Sequence, residues 1–445
     1  MDTQKKSYVW VALLVWGLLD LLCAMLCDIH ADEAYYRLYG QYLAWGYFDH
    51  PPMVGLLTAL SNAIVPSAGF AASGLGLVLK KLSVRLVTVL VHMATVYVIW
   101  CTIGISHSAH TASRPVLLRF LLVAASIPMF SAYGFITTPD APLLFFAAVF
   151  YYAYRHYLDE RSWTMMFLLA LSMAGMLYSK YMAVLVIFFA LLGNWQLLRD
   201  GKCWMAVGLT ALLMIPHLWW QYSNGFPSFT YHLVSRSTEY MSLYSEEFIP
   251  NQWAVFNPLV WGLMLWAGWM QLRHGDAYGH SLGMTLIGFQ VFFFIMTFRG
   301  HVEPHWTAVT SIPAILLLVE NERIWNRGIT IAFGVFVGIV IVARVVLMLN
   351  ILPVQTGLSG QRPMCESVHA EAQERPVIFD GSFQQASLYR FYYNDSAVLV
   401  RSKGDRYTQF DLLHLERQLI GQPACVRRHG KVYMTDWLSE EDLRE

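Results

Sequence analysis

The sequence predicts a polytopic α-helical membrane protein with about eleven spans, followed by a small C-terminal α/β domain. Of its 445 residues, 56% are hydrophobic and only 13% are charged, whereas about a quarter of the residues in a soluble protein are charged. Apolar runs of about 20 residues recur between short polar breaks, and such a run is long enough to cross a bilayer. The formal net charge is zero, so nothing in the composition indicates a nucleic-acid partner.

The loops between the apolar runs predict the orientation of the chain. Lys5, Lys6 and Arg114 belong to the loops on the side of the N-terminus, which carry more basic residues than the opposite loops, so the N-terminus is expected in the cytoplasm. No small-residue cleavage site follows the first run, which therefore counts as a span rather than a signal peptide. An odd number of spans places the C-terminus outside. The predicted spans cover approximately 8–27, 82–103, 116–135, 139–157, 163–179, 182–198, 203–221, 254–272, 280–298, 305–320 and 329–349.

These spans define a predicted membrane domain over residues 1–349, with long outer loops at 28–81 and 222–253. The tail, residues 350–445, is richer in charge and is predicted to form an extracytoplasmic α/β domain. It has alternating stretches typical of strands at 376–380 and 397–400, and helical patterns at 387–393 and 410–419. Cys365 and Cys425 both lie in this tail, where a disulfide and two free thiols are equally open.

Residues 30–52, in the first outer loop, carry the most informative pattern. Tyr35, Tyr39 and Tyr42 recur at helical spacing, and Glu33 and Arg37 form an i,i+4 pair on the polar face. An aromatic, one-sided helix of this kind is expected to lie in the membrane interface, where it presents an acidic pair beside the first span. The first acidic residue of that pair, Asp32, either deprotonates an acceptor hydroxyl or caps the helix, and both interpretations stay open.

Five further segments follow in order: Asp-His-Pro-Pro at 49–52, Thr-Pro-Asp at 138–140, Ser-Lys-Tyr at 179–181, Pro-His-Leu-Trp-Trp at 216–220 and Glu-Pro-His-Trp at 303–306. Together with the acidic pair, this combination resembles the bacterial branch of the protein O-mannosyltransferase superfamily. That superfamily has the GT-C fold and includes the aminoarabinose lipid A transferases. The sequence departs from the pattern at Trp220, where the family usually has Asn.

The resemblance implies an inverting glycosyltransferase of the bacterial inner membrane, with its active site facing the periplasm. Such an enzyme moves a sugar from a polyprenyl-phosphate donor to a hydroxyl of lipid A, another glycan or a protein. By resemblance, Asp32 matches the catalytic acidic position, and Glu33 and Asp140 match supporting ones. The expected partners are the lipid-linked sugar, its acceptor and membrane lipids, and the chain is expected to be a monomer without a nucleic-acid partner.

A lipid-linked sugar already carries a good leaving group, so the site needs a base, positive charge for the phosphate and exclusion of water. The outer-side cations Lys180, Arg85 and Arg299 are candidates for the phosphate, with snorkelling to the interface as the alternative. No cofactor is firmly predicted. A divalent metal is left open, because His and carboxylate residues share the outer loops without a diagnostic spacing. The predicted substrate-binding set is completed by His305, His50, Tyr35 and Glu303.

A transporter or flippase of a lipid-linked sugar is the alternative from another class, since it would also have many spans and buried charges. Transporters place their coupling residues near the bilayer midplane, between repeated halves of the chain. The polar residues of this sequence gather on one side of the predicted membrane, and no internal repeat is evident. This pattern favours the enzyme.

Overall fold

A computed structural model of the chain describes residues 3–106, 114–231, 241–351, 362–393, 395–400, 406–428 and 430–440. Parts of the predicted outer loop 222–253 and of the tail 350–445 therefore lie outside the described residues. The first half of the chain forms α1 (Thr3–Leu26), α2 (Ala31–Gln41), α3 (Met53–Ile64), α4 (Gly74–Ser106), α5 (Arg114–Ser126), α6 (Pro128–Ala132), α7 (Asp140–Glu160), α8 (Trp163–Ser179), α9 (Ala183–Gly193) and α10 (Gly201–Ser223). The second half continues with α11 (Pro227–Thr230), α12 (Ser242–Glu246), α13 (Phe248–Phe256), α14 (Pro258–His274), α15 (Ala277–Thr297), α16 (Ser311–Glu320) and α17 (Arg327–Leu349).

Helical structure occupies each of the eleven predicted span regions. By length and composition, five of the described helices are apolar enough to cross a membrane: α1, α4, α10, α15 and α17. Other predicted spans are shorter or broken in the structure. The span predicted at 116–135 is divided between α5 and α6, because Pro128 disfavours a helical conformation at Ile127, whose backbone is extended. The helical membrane fold is confirmed, whereas the number of spans stays a prediction.

Polar contacts reinforce the apolar core between the long helices. Helix α7 packs between α4 and α8, and the hydroxyl of its Tyr151 donates to Thr285 at 3.0 Å. One turn further on, the hydroxyl of Tyr154 lies 2.9 Å from that of Ser281. Hydroxyl pairs of this kind link helices where lipid tails offer no hydrogen-bond partner.

A second buried polar group joins the first and last long helices. Arg344 of α17 donates to the Asp20 carboxylate of α1 at 2.7 Å and to the Ser131 hydroxyl at 2.8 Å. His92 of α4 lies 3.8 Å from the other carboxylate oxygen of Asp20. All four residues are buried, so the pair holds α17 to α1 in a region where an isolated charge would be costly.

Over its described residues, the tail adds a four-stranded sheet and three α-helices. Its elements are α18 (Arg362–Ala372), β1 (Val377–Asp380), α19 (Phe383–Tyr392), β2 (Val398–Val400), α20 (Gln409–Leu413), β3 (Ala424–Arg428) and β4 (Lys431–Thr435). The strand order is β2-β1-β3-β4; β1 pairs in parallel with β2 and β3, and β4 is antiparallel to β3. The two predicted strands coincide with β1 and β2. Cys365 and Cys425 are both buried and have free thiols, so the structure shows no disulfide between them.

The tail and the first outer loop share one apolar core. Tyr35, Leu38 and Tyr39 of α2 belong to the same buried cluster as Phe379 and Tyr389 of the tail. Helix α2 thus lies between α3 and α19. Tyr35 and Tyr39 of the aromatic face are covered by protein, whereas Tyr42 is 38% exposed. The position of α2 in the membrane interface stays a prediction.

Candidate active site

Helix α2 begins with a capping box that leaves the Asp32 side chain uninvolved. The backbone N–H of Asp32 donates to Nδ1 of His30 at 3.1 Å, and the backbone N–H of His30 donates to Glu33 Oε2 at 2.9 Å. The N-cap is therefore His30, and the interpretation of Asp32 as the cap was wrong. The Asp32 side chain is 38% exposed, so its carboxylate remains accessible at the start of the helix.

The neighbouring acidic residue, Glu33, is fully enclosed with Arg85. The Arg85 guanidinium donates to Glu33 from Nε at 2.8 Å and from Nη2 at 2.6 Å, and both side chains are 0% exposed. Arg85 also donates to the backbone carbonyls of Ala24, Cys27 and Asp28. With its donors used in this way, Arg85 has no surface to offer a lipid phosphate, contrary to the expectation from sequence.

The predicted helix-surface pair between Glu33 and Arg37 was also wrong. Arg37 instead reaches the tail, where its Nη1 lies 2.6 Å from Asp395 Oδ1. Glu33 accepts one further hydrogen bond, from the backbone N–H of Thr137 at 2.8 Å. The Glu33 carboxylate therefore links α2, α4 and the segment before α7, and it fixes the position of the helix start that carries Asp32.

Asp140, Lys180 and His305 form the second group of predicted residues. Nζ of Lys180 lies 2.8 and 2.9 Å from the two carboxylate oxygens of Asp140, and both residues are buried. Asp140 is the first residue of α7 and Lys180 follows the last residue of α8, so the pair closes one end of this helix hairpin. Nε2 of His305 lies 4.0 Å from Asp140, with the His305 side chain 34% exposed.

Tyr36 connects the two groups. Its hydroxyl lies 3.2 Å from Nε2 of His50. Burial, followed by the negative charges of Asp32, Asp49 and Asp140, raises the pKa of Tyr36 well above its usual range. The charges of carboxylates at the start of α2 and at the start of α7 therefore both act on the Tyr36 phenol. Tyr36 was absent from the predicted set, although it follows Asp32 by one helical turn and thus shares its face of the helix.

Tyr35 lies away from this space, against the tail. It is 1% exposed; its hydroxyl donates to Asp49 at 3.2 Å and accepts from the backbone N–H of Gln409 at 2.7 Å. The other oxygen of Asp49 pairs with Arg406 at 2.5 Å. Tyr35 therefore holds the tail against α2 and has no free surface for substrate, which differs from the prediction.

Arg299 and Glu303 are the remaining predicted residues. Arg299 follows α15 and is exposed. Glu303 precedes a 3₁₀ segment over Pro304–Thr310 and lies 3.6 Å from His301. Within the described part of the chain, no group of three or more His, Cys, Asp or Glu residues is arranged to hold a metal ion. The structure thus groups Asp140, Lys180 and His305 and places His50 beside Tyr36. It encloses Glu33 and Arg85, leaves Arg299 exposed and places Glu303 beside His301.

Comparisons with known proteins agree with this architecture. The family described as dolichyl-phosphate-mannose-protein mannosyltransferase matches residues 49–220, a range that begins after Asp32. The lipid A galacturonosyltransferase RgtD of Rhizobium johnstonii is 28% identical over 264 residues, which cover 55% of this chain and 50% of that protein. The chain therefore spans about half the length of this curated relative.

The overall arrangement is shared with solved structures. ArnT from Cupriavidus metallidurans in the apo state matches with a TM-score of 0.66 at 15% identity, covering 95% of this chain and 93% of that chain. The same protein bound to undecaprenyl phosphate matches with a TM-score of 0.65 at 15% identity, covering 94% and 92%. At this level of identity, the likeness establishes the fold and leaves the site to be argued from its own residues.

Proposed function

Because the chain belongs to the GT-C glycosyltransferase superfamily, we propose that it transfers a sugar from a polyprenyl-phosphate donor to an acceptor hydroxyl. The observation that carries this proposal is the exposed carboxylate of Asp32 at the start of α2, one helical turn from Tyr36. The buried Asp140–Lys180 pair at the start of α7 supports it. Support comes from the relative that is a lipid A galacturonosyltransferase and from the fold of a protein solved with undecaprenyl phosphate. We place the reaction at the periplasmic face of a bacterial inner membrane, with lipid A, another glycan or a protein as acceptor.

The proposed reaction is a single displacement at the anomeric carbon. The acceptor hydroxyl oxygen forms a bond to that carbon while the bond from the carbon to the phosphate oxygen breaks, which inverts the configuration. The hydroxyl proton passes to the Asp32 carboxylate, and the electron pair of the broken bond leaves with polyprenyl phosphate. Asp32 has the accessibility that a base requires, whereas Glu33 is enclosed with Arg85.

The departing phosphate needs positive charge, which the structure offers at the start of α7. Lys180 directs its ammonium group to Asp140, but an ammonium has three protons to donate, so it can also bind a phosphate oxygen. His305 lies beside the same carboxylate and is partly exposed. We assign the phosphate to the space between Lys180 and His305, with Arg299 at the rim, and we assign Arg85 to holding Glu33.

Replacing His305 with Ala tests this assignment. The variant is expected to lower kcat/KM for the donor about tenfold, since a hydrogen bond to a charged group contributes roughly 1.5 kcal/mol or more. His274→Ala, at the far end of α14 and exposed, serves as the matched control and should leave kcat/KM unchanged. Equal values for the two variants would remove His305 from the phosphate site.

Transfer itself is tested with the purified chain in lipid nanodiscs. Polyprenyl-phosphate-linked galacturonic acid is offered first, then the aminoarabinose donor, each with and without lipid A. The expected result is release of polyprenyl phosphate in a one-to-one ratio with glycosylated acceptor, and no release without acceptor.

A parallel assay in sealed vesicles tests the flippase alternative by following the donor across the bilayer. Movement of donor without transfer would support the flippase and contradict the proposal.

A further inference from the structure

The tail is attached to α2 by several polar contacts as well as by the shared apolar core. Arg37 pairs with Asp395, and Asp49 pairs with Arg406. The backbone N–H of Phe48 donates to the Gln409 side chain at 2.9 Å. These three contacts join residues that are more than 350 positions apart in the sequence. They involve both α2 and the segment that follows it, so the tail is fixed against this part of the first outer loop.

The direction of the strands determines which part of the tail faces Asp32. Strands β1, β2 and β3 are parallel, so their carboxyl ends lie at one edge of the sheet. Helix α19 begins three residues after β1, with Ser382 as its N-cap. Its second residue, Gln384, lies within hydrogen-bond distance of the proposed base, with Nε2 3.4 Å from Asp32 Oδ1.

The side chain of Gln384 donates a hydrogen bond to the Asp32 carboxylate. An ionised carboxylate only accepts, so the amide must present its NH₂ group to it. His30 cannot replace this donor: its Nδ1 lies 3.7 Å from Asp32 Oδ2, but it already accepts the Asp32 backbone N–H. Among the described residues, Gln384 is thus the one side chain with a hydrogen bond to the proposed base.

We propose that Gln384 is a positioning residue for Asp32, and that the tail thereby forms a working part of the active site. This inference rests on the proposed function. The hydrogen bond to Oδ1 fixes the orientation of the carboxylate and leaves Oδ2 for the acceptor hydroxyl. The bond is long in the free protein, and catalytic hydrogen bonds of this kind shorten when substrate is bound.

The test compares two neighbouring glutamines that have different partners. In Gln384→Glu a second carboxylate is placed beside Asp32 and disfavours its ionised form, so the acid limb of the pH–rate profile should move up by roughly one pH unit. Gln385→Glu introduces the same charge one residue away, where the side chain already contacts Arg427, and the profile should not move. Gln384→Ala should lower kcat about tenfold while KM for the donor is unchanged.

The possible outcomes distinguish a failure of the role proposed for Gln384 from a failure of the proposed function. If the wild type transfers sugar and the Gln384 variants keep its pH profile and kcat, Gln384 does not position the base and the inference is overturned. The same holds if the Gln385 variant shifts the profile equally, because the effect would then be general electrostatics of the tail. A wild type that transfers nothing from any donor overturns both this inference and the proposed function.

Discussion

Asp32→Asn is expected to lower kcat by about 10²–10⁴-fold, the usual contribution of one well-placed general base. The amide occupies nearly the same volume but takes up no proton from the attacking hydroxyl. The Asp32 side chain takes no part in the capping box of α2, so the substitution should leave the fold and the KM for the donor nearly unchanged. Initial rates of sugar transfer at saturating donor measure the effect.

The control for Asp32→Asn is the same substitution at a second aspartate, which removes the same charge elsewhere. Asp436 is 92% exposed and pairs with Arg375 on the surface of the tail, an arrangement that contributes little to stability. Asp436→Asn should therefore retain the wild-type rate. If Asp32→Asn transferred sugar as fast as this control, another group would have to accept the proton, and the proposed mechanism would fail.

Arg85→Met is expected to destabilise the protein by about 3–5 kcal/mol, because it leaves the carboxylate of Glu33 buried without its counter-charge. Glu33 is 0% exposed, so water cannot replace the lost donors. The loss of stability is measured by heating the detergent-solubilised protein and recording the fraction that remains monodisperse at each temperature. Activity should fall in parallel, since the start of α2 depends on this pair.

Two comparisons make the Arg85 prediction specific. Arg37→Met removes a pair whose Asp395 is 52% exposed, and its cost should stay within about 1 kcal/mol. Adding Glu33→Gln to Arg85→Met removes the buried charge while keeping an acceptor for the backbone N–H of Thr137, so the double variant should recover most of the stability. A double variant no more stable than Arg85→Met would show that packing, not charge, determines the cost.

The fold was predictable where a single local pattern decides the structure. Long apolar runs give a helix wherever a span was predicted, and the alternating segments at 376–380 and 397–400 coincide with β1 and β2. Strands β3 and β4 were missed, since β3 ends in two arginines and β4 is an edge strand with mixed exposure. Their alternation is weak because only part of each faces the core.

The site was predictable in its acidic residues and less so in their partners. Asp140 and Lys180 carry motif signals and are in contact, whereas Arg85 meets Glu33 and Gln384 meets Asp32 through packing across 52 and 352 positions. No local pattern encodes such distant contacts. Tyr35 was predicted to bind substrate, yet Tyr36 is the aromatic residue on the same face of α2 as Asp32. Successive residues of a helix point about 100° apart, so neighbouring tyrosines lie on different sides.

The pair between Asp20 and Arg344 has a consequence for how the protein is assembled in the membrane. The last long helix carries a guanidinium whose counter-charge belongs to the first, 324 positions earlier. During synthesis α1 must hold Asp20 in the bilayer until α17 arrives, and α17 in turn meets a bilayer that disfavours its charge. Integration of α17 is therefore expected to be coupled to its encounter with α1, before the tail is complete.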